Sequence, residues 1–416
     1  MTPTPPIQPF SLLIKPAGPD CNIRCEYCFY LEKCGLYPEQ AKHRMDTSTL
    51  QKVISDYMAT PQPVYSFGWQ GGEPTLMGAE FFRTAFELQR SLAPRGATVA
   101  NGLQTNGTLL DANFAGLLAE YRVLVGISVD GPAELHDRYR RTAGGGATHH
   151  RVMQGIEHLQ TAGVEFNVLT LVSAANVEHP AEVYRYLKSL GVLHHQYIPC
   201  VEPLNDGLTE FSITAEQWGR FLNGIFDEWQ GADTRSVSIR HFDSVVNFLV
   251  TGRYTSCTMG GSCRQYLVVE HNGDLYPCDF FVTPELRLGN IHTHRLERAW
   301  TSPLMRRFGA QKTRWPERCG ECPYLPLCSG DCQKLRLGGE SPSALCEGWV
   351  MFYDHALPRL REIAARAARR HGIPMVDPTT ELTEPEAPCF CGSGKRYRNC
   401  HGAAVPRHAG ANATDH

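Results

Sequence analysis

SLLIKP (Ser11 to Pro16), followed after four intervening residues by Cys21-Asn22-Ile23-Arg24-Cys25-Glu26-Tyr27-Cys28, decides how this chain is read. The first six residues form an apolar run closed by proline, the pattern of a short buried strand. The next eight carry three thiols at spacing x3 then x2, so one loop can wrap three corners of a cubane cluster and leave one iron without a protein ligand. Zinc would need a fourth ligand, and Cys34 is the candidate for it, so spacing alone leaves both metals open.

Five further strand patterns follow this one: VYSFGWQ (Val64 to Gln70), TVANGLQ (Thr98 to Gln104), LVGISVD (Leu124 to Asp130), VEFNVLTLV (Val164 to Val172) and HQYIP (His195 to Pro199). Amphipathic stretches such as Thr47 to Met58, Ala79 to Leu92 and Thr148 to Ala162 lie between them, which indicates repeated βα units and a parallel sheet. Six units predict an α/β fold built on a partial (β/α)6 TIM-like barrel, with chemistry at the C-terminal ends of the strands. Those ends carry Gly71-Gly72-Glu73-Pro74, Thr105-Asn106-Gly107 and Asp130-Gly131-Pro132. Each alone is an ordinary turn, but together with the cysteine triplet they mark one rim.

The 416 residues include 42% apolar and 20% charged side chains, enough to bury sizeable cores. Forty basic against forty-three acidic groups give a net charge of −3, without the basic excess that nucleic-acid binding requires. No apolar run is long enough to span a bilayer. The opening MTPTPPIQPF has neither the basic nor the apolar segment of a secretion signal, so the expected location is the cytoplasm. There, sixteen cysteines are better read as metal ligands than as disulfides.

Eight of them fall in one stretch: Cys257, Cys263, Cys278, Cys319, Cys322, Cys328, Cys332 and Cys346. They suffice for two four-cysteine sites, and spacing alone allows two zinc ions as well as two clusters. Helical patterns flank the stretch, around Thr214 to Gln230 and Val350 to Arg370. A Pro/Thr/Glu-rich linker then leads to Cys389, Cys391, Cys400 and His401, a set that fits a closed tetrahedral Zn2+ site.

The triplet, with an aromatic residue before its last cysteine, resembles the radical S-adenosylmethionine (SAM) superfamily, and Gly71-Gly72-Glu73-Pro74 is similar to its GGEP motif. The resemblance implies that Cys21, Cys25 and Cys28 hold a [4Fe-4S] cluster whose open iron takes SAM. It implies SAM contacts at Tyr27, Gly72, Ser128, Arg140 and Val201, the last standing where the family usually has Leu. A guanidinium such as Arg140 suits a carboxylate through its paired donors. The eight-cysteine stretch resembles the SPASM extension, which implies two auxiliary [4Fe-4S] clusters, three clusters in all. The family's ligation assigns Cys257, Cys263, Cys278 and Cys332 to one, and Cys319, Cys322, Cys328 and Cys346 to the other. The last cysteines resemble the SEC-C zinc motif, a docking module. The organisation expected is a barrel over 1–235, a SPASM domain with a C-terminal helix over 236–371, a linker over 372–388, the zinc motif over 389–403 and a tail over 404–416.

CEYCFYLEKCGLYP, FGWQGGEPTLMG, LQTNGTLLD, VGISVDGPAELHDRYR, HNGDLYPCDFFV and LGNI resemble the anaerobic sulfatase-maturating enzymes over roughly the first 350 residues. These oxidise a Cys or Ser in a Cys/Ser-x-Pro-x-Arg segment to Cα-formylglycine, and the resemblance implies Asp279 as proton acceptor. The implied partners are an unfolded or nascent sulfatase polypeptide and an electron donor such as flavodoxin or ferredoxin. Tyr30 is expected to face the substrate. The rival readings are another SPASM peptide-modifying enzyme, such as one forming thioethers, and a non-enzymatic zinc-binding adaptor. Cys34, Cys200 and the pairs His149-His150 and His194-His195 read as background, an isolated cysteine being more often a small buried hydrophobe.

Overall fold

The computed structural model describes residues 8–205, 207–338, 341–379 and Arg396. The zinc motif (Cys389, Cys391, Cys400 and His401) and the tail lie outside the described residues.

The six strand patterns become β1 (Ser11–Lys15), β2 (Val64–Trp69), β3 (Thr98–Thr105), β4 (Leu124–Ser128), β5 (Phe166–Val172) and β6 (His194–Pro199). All neighbours among them pair in parallel, so their C-terminal ends form one rim. The intervening helices are α1 (Thr47–Met58), α2 (Ala79–Leu92), α3 (Ala112–Glu120), α4 (His149–Thr161) and α5 (Pro180–Ser189). Aspartates set two of the starts: Asp46 accepts from Thr49 N and Asp111 from Phe114 N, both at 2.7 Å, caps worth about 1 kcal/mol each. Between the helices and the sheet lies a continuous core that includes Ile14, Tyr57, Phe67, Trp69, Phe82 and Ile127.

The sheet does not stop at six strands. After α6 (Ala215–Trp229), β7 (Ser238–Ile239) adds to the free edge of β6, and α7 (Arg240–Thr251) follows. On the opposite edge β8 (Tyr266–Glu270) pairs in parallel along the whole of β1, from Ser11↔Tyr266 to Lys15↔Glu270. β9 (Asp274–Tyr276) and β10 (Gly289–Asn290) continue it antiparallel. The order is β7-β6-β5-β4-β3-β2-β1-β8-β9-β10. An open barrel leaves backbone donors and acceptors bare at its edges, and the apolar LVV of β8 covers one of them. β9 runs back antiparallel beside β8, so Cys278 follows it next to Tyr266, and Asp279 there meets the side chain of Lys15, the last residue of β1, at 3.7 Å.

The last described helix, α8 (Cys346–His371), starts four residues before the predicted Val350, which places Cys346 in its first turn. Trp349, Phe352, Tyr353, Leu357 and Leu360 bury one face of it in a second core shared with α6 and α7. A Cβ on Gly348 would sit 2.2 Å from the Ala215 carbonyl oxygen, so the close approach of α8 to the start of α6 requires glycine there. Pro358 lies inside α8 and costs about 3 kcal/mol in an isolated helix, which burial of this face offsets. Among the described residues no helix is long and apolar enough to cross a membrane.

Candidate active site

Cys25 closes a short strand, Ile23–Cys25, that pairs antiparallel with Arg140–Thr142 and sets Cys25 opposite Arg140. Arg140 donates from Nε to Asp130 Oδ2 at 2.8 Å, and its Nη1 lies 3.8 Å from Cys25 Sγ. The Tyr27 hydroxyl donates to the same Asp130 oxygen, and the guanidinium lies 5.4 Å from the centre of the Tyr27 ring. Burial works against the Arg140 charge, but the Asp130 carboxylate outweighs it and holds the pKa well above the usual value. Asp130 also accepts from Leu171 N at 3.0 Å, and its own N–H donates to His136 Nδ1 at 3.3 Å. Burial pushes His136 down to about 4, which keeps that nitrogen an acceptor. By its place in Asp130-Gly131-Pro132, Asp130 reads only as a turn residue. It is the buried hub that fixes Tyr27 and Arg140 against the cysteine loop.

The glycine turn is held just as tightly. Gly72 N donates to Gly18 O at 2.8 Å and Glu73 N to Asp20 O at 2.7 Å. A Cβ on Gly72 would fall 2.0 Å from Asp20 O, so no other residue fits beneath the cysteine loop. Glu73 is fully buried, with Oε1 accepting from Thr75 N (2.9 Å) and Thr105 Oγ1 (2.8 Å) and Oε2 from Asn106 N (2.8 Å). Burial pushes its carboxyl upward against the pull of these donors. Glu73 thus braces the ends of β2 and β3, and the backbone of the turn is what remains to meet a ligand. Asn106 Nδ2 reaches Asn22 Oδ1 at 2.9 Å and Cys21 Sγ at 3.6 Å, tying the third rim segment to the cysteine loop.

The remaining rim residues differ in access. Ser128 ends β4, where its Oγ accepts from Gln104 Nε2 at 3.3 Å. Val201 is completely buried in the second core, packed with Val172 and Trp218. Cys200 is buried beside Cys25 and Tyr27, whereas Cys34 is exposed on the short helix Leu31–Leu36. Tyr30, expected to face the substrate, is only 3% exposed. It is buried beneath the Lys15 ammonium and donates its hydroxyl to Glu270, a fully buried carboxylate that needs a donor.

Asp279, 7% exposed, lies where β8 and β9 deliver it. Its Oδ1 accepts from Tyr266 OH at 2.9 Å, and Lys15 Nζ stands 3.7 Å from Oδ2. Tyr266 OH also contacts Cys278 Sγ at 3.3 Å, so one hydroxyl joins the carboxylate to the adjacent thiol. The rings of Phe280, the next residue, and Phe29 meet at a tilt of 49°, centroids 4.8 Å apart, with Lys334 over both and paired to Glu202. Lys15, Tyr266 and Phe29 escaped the sequence reading. A lysine ending the otherwise apolar SLLIK strand was the one signal that could have found Lys15.

The eight later cysteines gather in two groups. A cavity of about 250 Å³ is lined by Cys319, Cys322, Cys328 and Cys346. In the other group Cys257 interacts electrostatically with Cys263 and Cys332, and Cys332 with Cys278. Burial pushes Cys21, Cys25 and Cys332 each up to about 12. Without metal these thiols hold their protons, so ligation must displace them.

Residues 16–187 match the radical SAM superfamily model, residues 257–323 an iron-sulfur cluster-binding domain, SPASM, and residues 387–403 the SEC-C motif. The serine-type anaerobic sulfatase-maturating enzyme of Bacteroides thetaiotaomicron is 38% identical, over 84% of this chain and 90% of its own. The chain belongs to the anaerobic sulfatase-maturating enzymes. The cysteine-type enzyme of Clostridium perfringens is 36% identical, over 86% of this maturase and 98% of its own length. The solved structure of native anSMEcpe with bound AdoMet and Kp18Cys peptide superposes with a TM-score of 0.81 at 34% identity, covering 86% of this chain and all of that one. Streptococcus suis SuiB shares the fold, with a TM-score of 0.57 at 16% identity, covering 80% of this chain and 75% of its own.

SAM and iron-sulfur clusters are the groups that membership of this family implies, and the residues fit them. Among the described residues no three His, Cys, Asp or Glu side chains converge on a single ion. The cavity between Cys319, Cys322, Cys328 and Cys346 instead has about eight times a water's share of liquid volume, room for a multi-atom cluster.

Proposed function

We propose that this maturase oxidises a Cys or Ser in a sulfatase Cys/Ser-x-Pro-x-Arg segment to Cα-formylglycine, with Asp279 as the base. The observation that supports the reading is the setting of Asp279: a buried carboxylate beside Cys278, hydrogen-bonded to Tyr266 of β8 and 3.7 Å from the Lys15 ammonium of β1. In this reading Cys21, Cys25 and Cys28 hold a [4Fe-4S] cluster, and the two later groups of four hold one each. Tyr27, Gly72, Ser128, Arg140 and Val201 form the SAM site. With Asp130 on its Nε and Cys25 Sγ near its Nη1, Arg140 has Nη2 left for the methionyl carboxylate.

The chemistry supplied when SAM and the clusters are bound is removal of one hydrogen atom from the substrate Cβ and acceptance of one electron. Asp279 takes the remaining proton, from the substrate thiol or hydroxyl. Tyr266 and Lys15 hold the two carboxylate oxygens toward that task. Serine then yields the aldehyde directly. Cysteine yields a thioaldehyde that water converts to the aldehyde with release of hydrogen sulfide. The substrate is an unfolded or nascent sulfatase, reduction comes from a flavodoxin or ferredoxin, and the setting is the cytoplasm. Cys389, Cys391, Cys400 and His401 hold Zn2+ in a docking module.

The test is anaerobic: protein reconstituted with iron and sulfide, SAM, reductant, and peptides carrying Cys-x-Pro-x-Arg or Ser-x-Pro-x-Arg, read by mass. Formylglycine in either peptide is the expected result. Formation of 5′-deoxyadenosine with both peptides unchanged would remove the sulfatase substrate and favour another peptide modification.

A further inference from the structure

Lys312 follows the helix Pro303–Gln311 and is fully buried. An ammonium taken out of water costs several kcal/mol unless its protons are accepted. Lys312 Nζ donates to the carbonyl of Thr258 at 2.9 Å and to the carbonyl of Asp331. Among the described residues no carboxylate pairs with it. The carboxylate of Asp331 is already occupied, accepting from Ser343 Oγ at 2.7 Å, Trp349 Nε1 at 2.8 Å and Cys332 N at 2.7 Å. Two backbone carbonyls are therefore its acceptors among the described residues.

Its acceptors place that charge between the two thiol groups. Thr258 follows Cys257, and Asp331 precedes Cys332, both in the group that contains Cys278. Asp331 N also donates to the carbonyl of Cys328, which lines the other cavity, at 2.8 Å. The loop from Cys328 to Cys332 thus contributes one thiol to each group, and Lys312 holds it from inside. Against desolvation, which raises all three, and against the Asp331 carboxylate, which raises Cys328 and Cys332, the Lys312 charge favours the thiolate forms of Cys257 and Cys332 in one group and Cys328 in the other.

A cluster gains negative charge when reduced, and a fixed cation in a low-dielectric surround stabilises that state. We infer that Lys312 raises the reduction potentials of both auxiliary clusters, making the one beside Asp279 able to accept the substrate's electron and pass it on. Lys312 touches no substrate and acts only through the clusters. The inference rests on the ligand assignment under Proposed function.

The experiment uses the full chain with Cys21, Cys25 and Cys28 replaced by Ala, so that only auxiliary clusters titrate. Iron and sulfide are counted, and potentials are read by reductive titration with electron paramagnetic resonance. Lys312→Gln keeps a donor for the carbonyls but removes the charge, Lys312→Met removes both, and Lys312→Arg keeps the charge. The neutral variants are expected to shift at least one midpoint negative by a tenfold change in the reduced-to-oxidised ratio, about 59 mV for a one-electron couple, while Arg stays near the parent. Fully loaded neutral variants with unmoved potentials would overturn the inference. So would an Arg variant shifted as far as Gln. Loss of auxiliary iron from both neutral variants would overturn it too, because Lys312 would then be holding the loop and not setting a potential. A parent that binds no auxiliary iron would sink the ligand assignment itself, an outcome distinct from these.

Discussion

The two cysteine-bearing regions solve the same problem in opposite ways. Cys21, Cys25 and Cys28 come from one eight-residue loop, and the barrel rim braces it from outside through Asp130, Arg140 and Asn106. The later eight thiols come from a turn after β9, a loop from Cys328 to Cys332, short helices and the first turn of α8, with the bracing charge of Lys312 buried among them. A local loop can leave one side of its cluster open to a ligand at the rim. Thiols gathered from several elements would surround a cluster on more sides, which suits electron transfer more than ligand binding.

The sharpest way to break this contrast is to remove one thiol of each kind. Cys25→Ala is expected to abolish 5′-deoxyadenosine formation, whereas Cys322→Ala should leave SAM cleavage measurable and stop formylglycine. Chromatography of the nucleoside beside peptide mass spectra separates the two, and equal loss of both products in both variants would erase the distinction. Next in size is Asp279→Asn, which is expected to keep SAM cleavage while formylglycine falls about 10²- to 10⁴-fold, the usual range for a general base. Product at the parental rate would remove Asp279 from the reaction.

How much of this was legible follows the same division. The helices Thr47–Met58 and Ala79–Leu92 were read from their periodicity with the bounds the structure gives, and the rim turns from their glycines. The triplet was legible because its ligands are neighbours in sequence. The pairing of the later eight came only from resemblance, since spacing says nothing about which thiols meet across a fold. Asp130, Lys15, Glu270 and Lys312 were missed for a related reason. Each is a charged side chain whose partners lie on other elements, so its burial exists only after the sheet closes. The extension of the sheet by β8 was missed too, because a five-residue apolar run does not show which edge it will cover.

Arg140→Met tests the bracing of the loop directly. It leaves the Asp130 carboxylate buried without its cation, and urea unfolding is expected to show a loss of about 3–5 kcal/mol, part of it recovered by adding Asp130→Asn. A loss below 1 kcal/mol, on the scale of an exposed ion pair, would mean that the rim does not hold the loop. Acid should then act on both regions alike. His136 and His195 in the barrel and His241 in α7 are each pushed down to about 4 by burial. The unfolded imidazoles titrate near 6.5, so as pH falls through that value the unfolded chain binds protons that the folded chain refuses. Stability is therefore lost between about 6.5 and 4, up to about 3 kcal/mol per histidine at the lower end. His136→Gln should flatten that slope by one histidine's share, seen in unfolding curves at a series of pH values.

The smallest expected effect is the most discriminating for the open iron. Cys34 is the only thiol near the triplet in sequence that could close it, and a closed four-cysteine site could not take SAM. The structure leaves Cys34 exposed on the helix Leu31–Leu36, and it is not among the leading causes that shift Cys21, Cys25 or Cys28. Cys34→Ser should thus keep the iron content, the SAM cleavage rate and the stability, the last within about 0.5 kcal/mol. Serine is the useful replacement because it keeps the size and removes the soft ligand. If iron were lost, the triplet would be a four-thiol site and the local loop would enclose its metal as the later groups do.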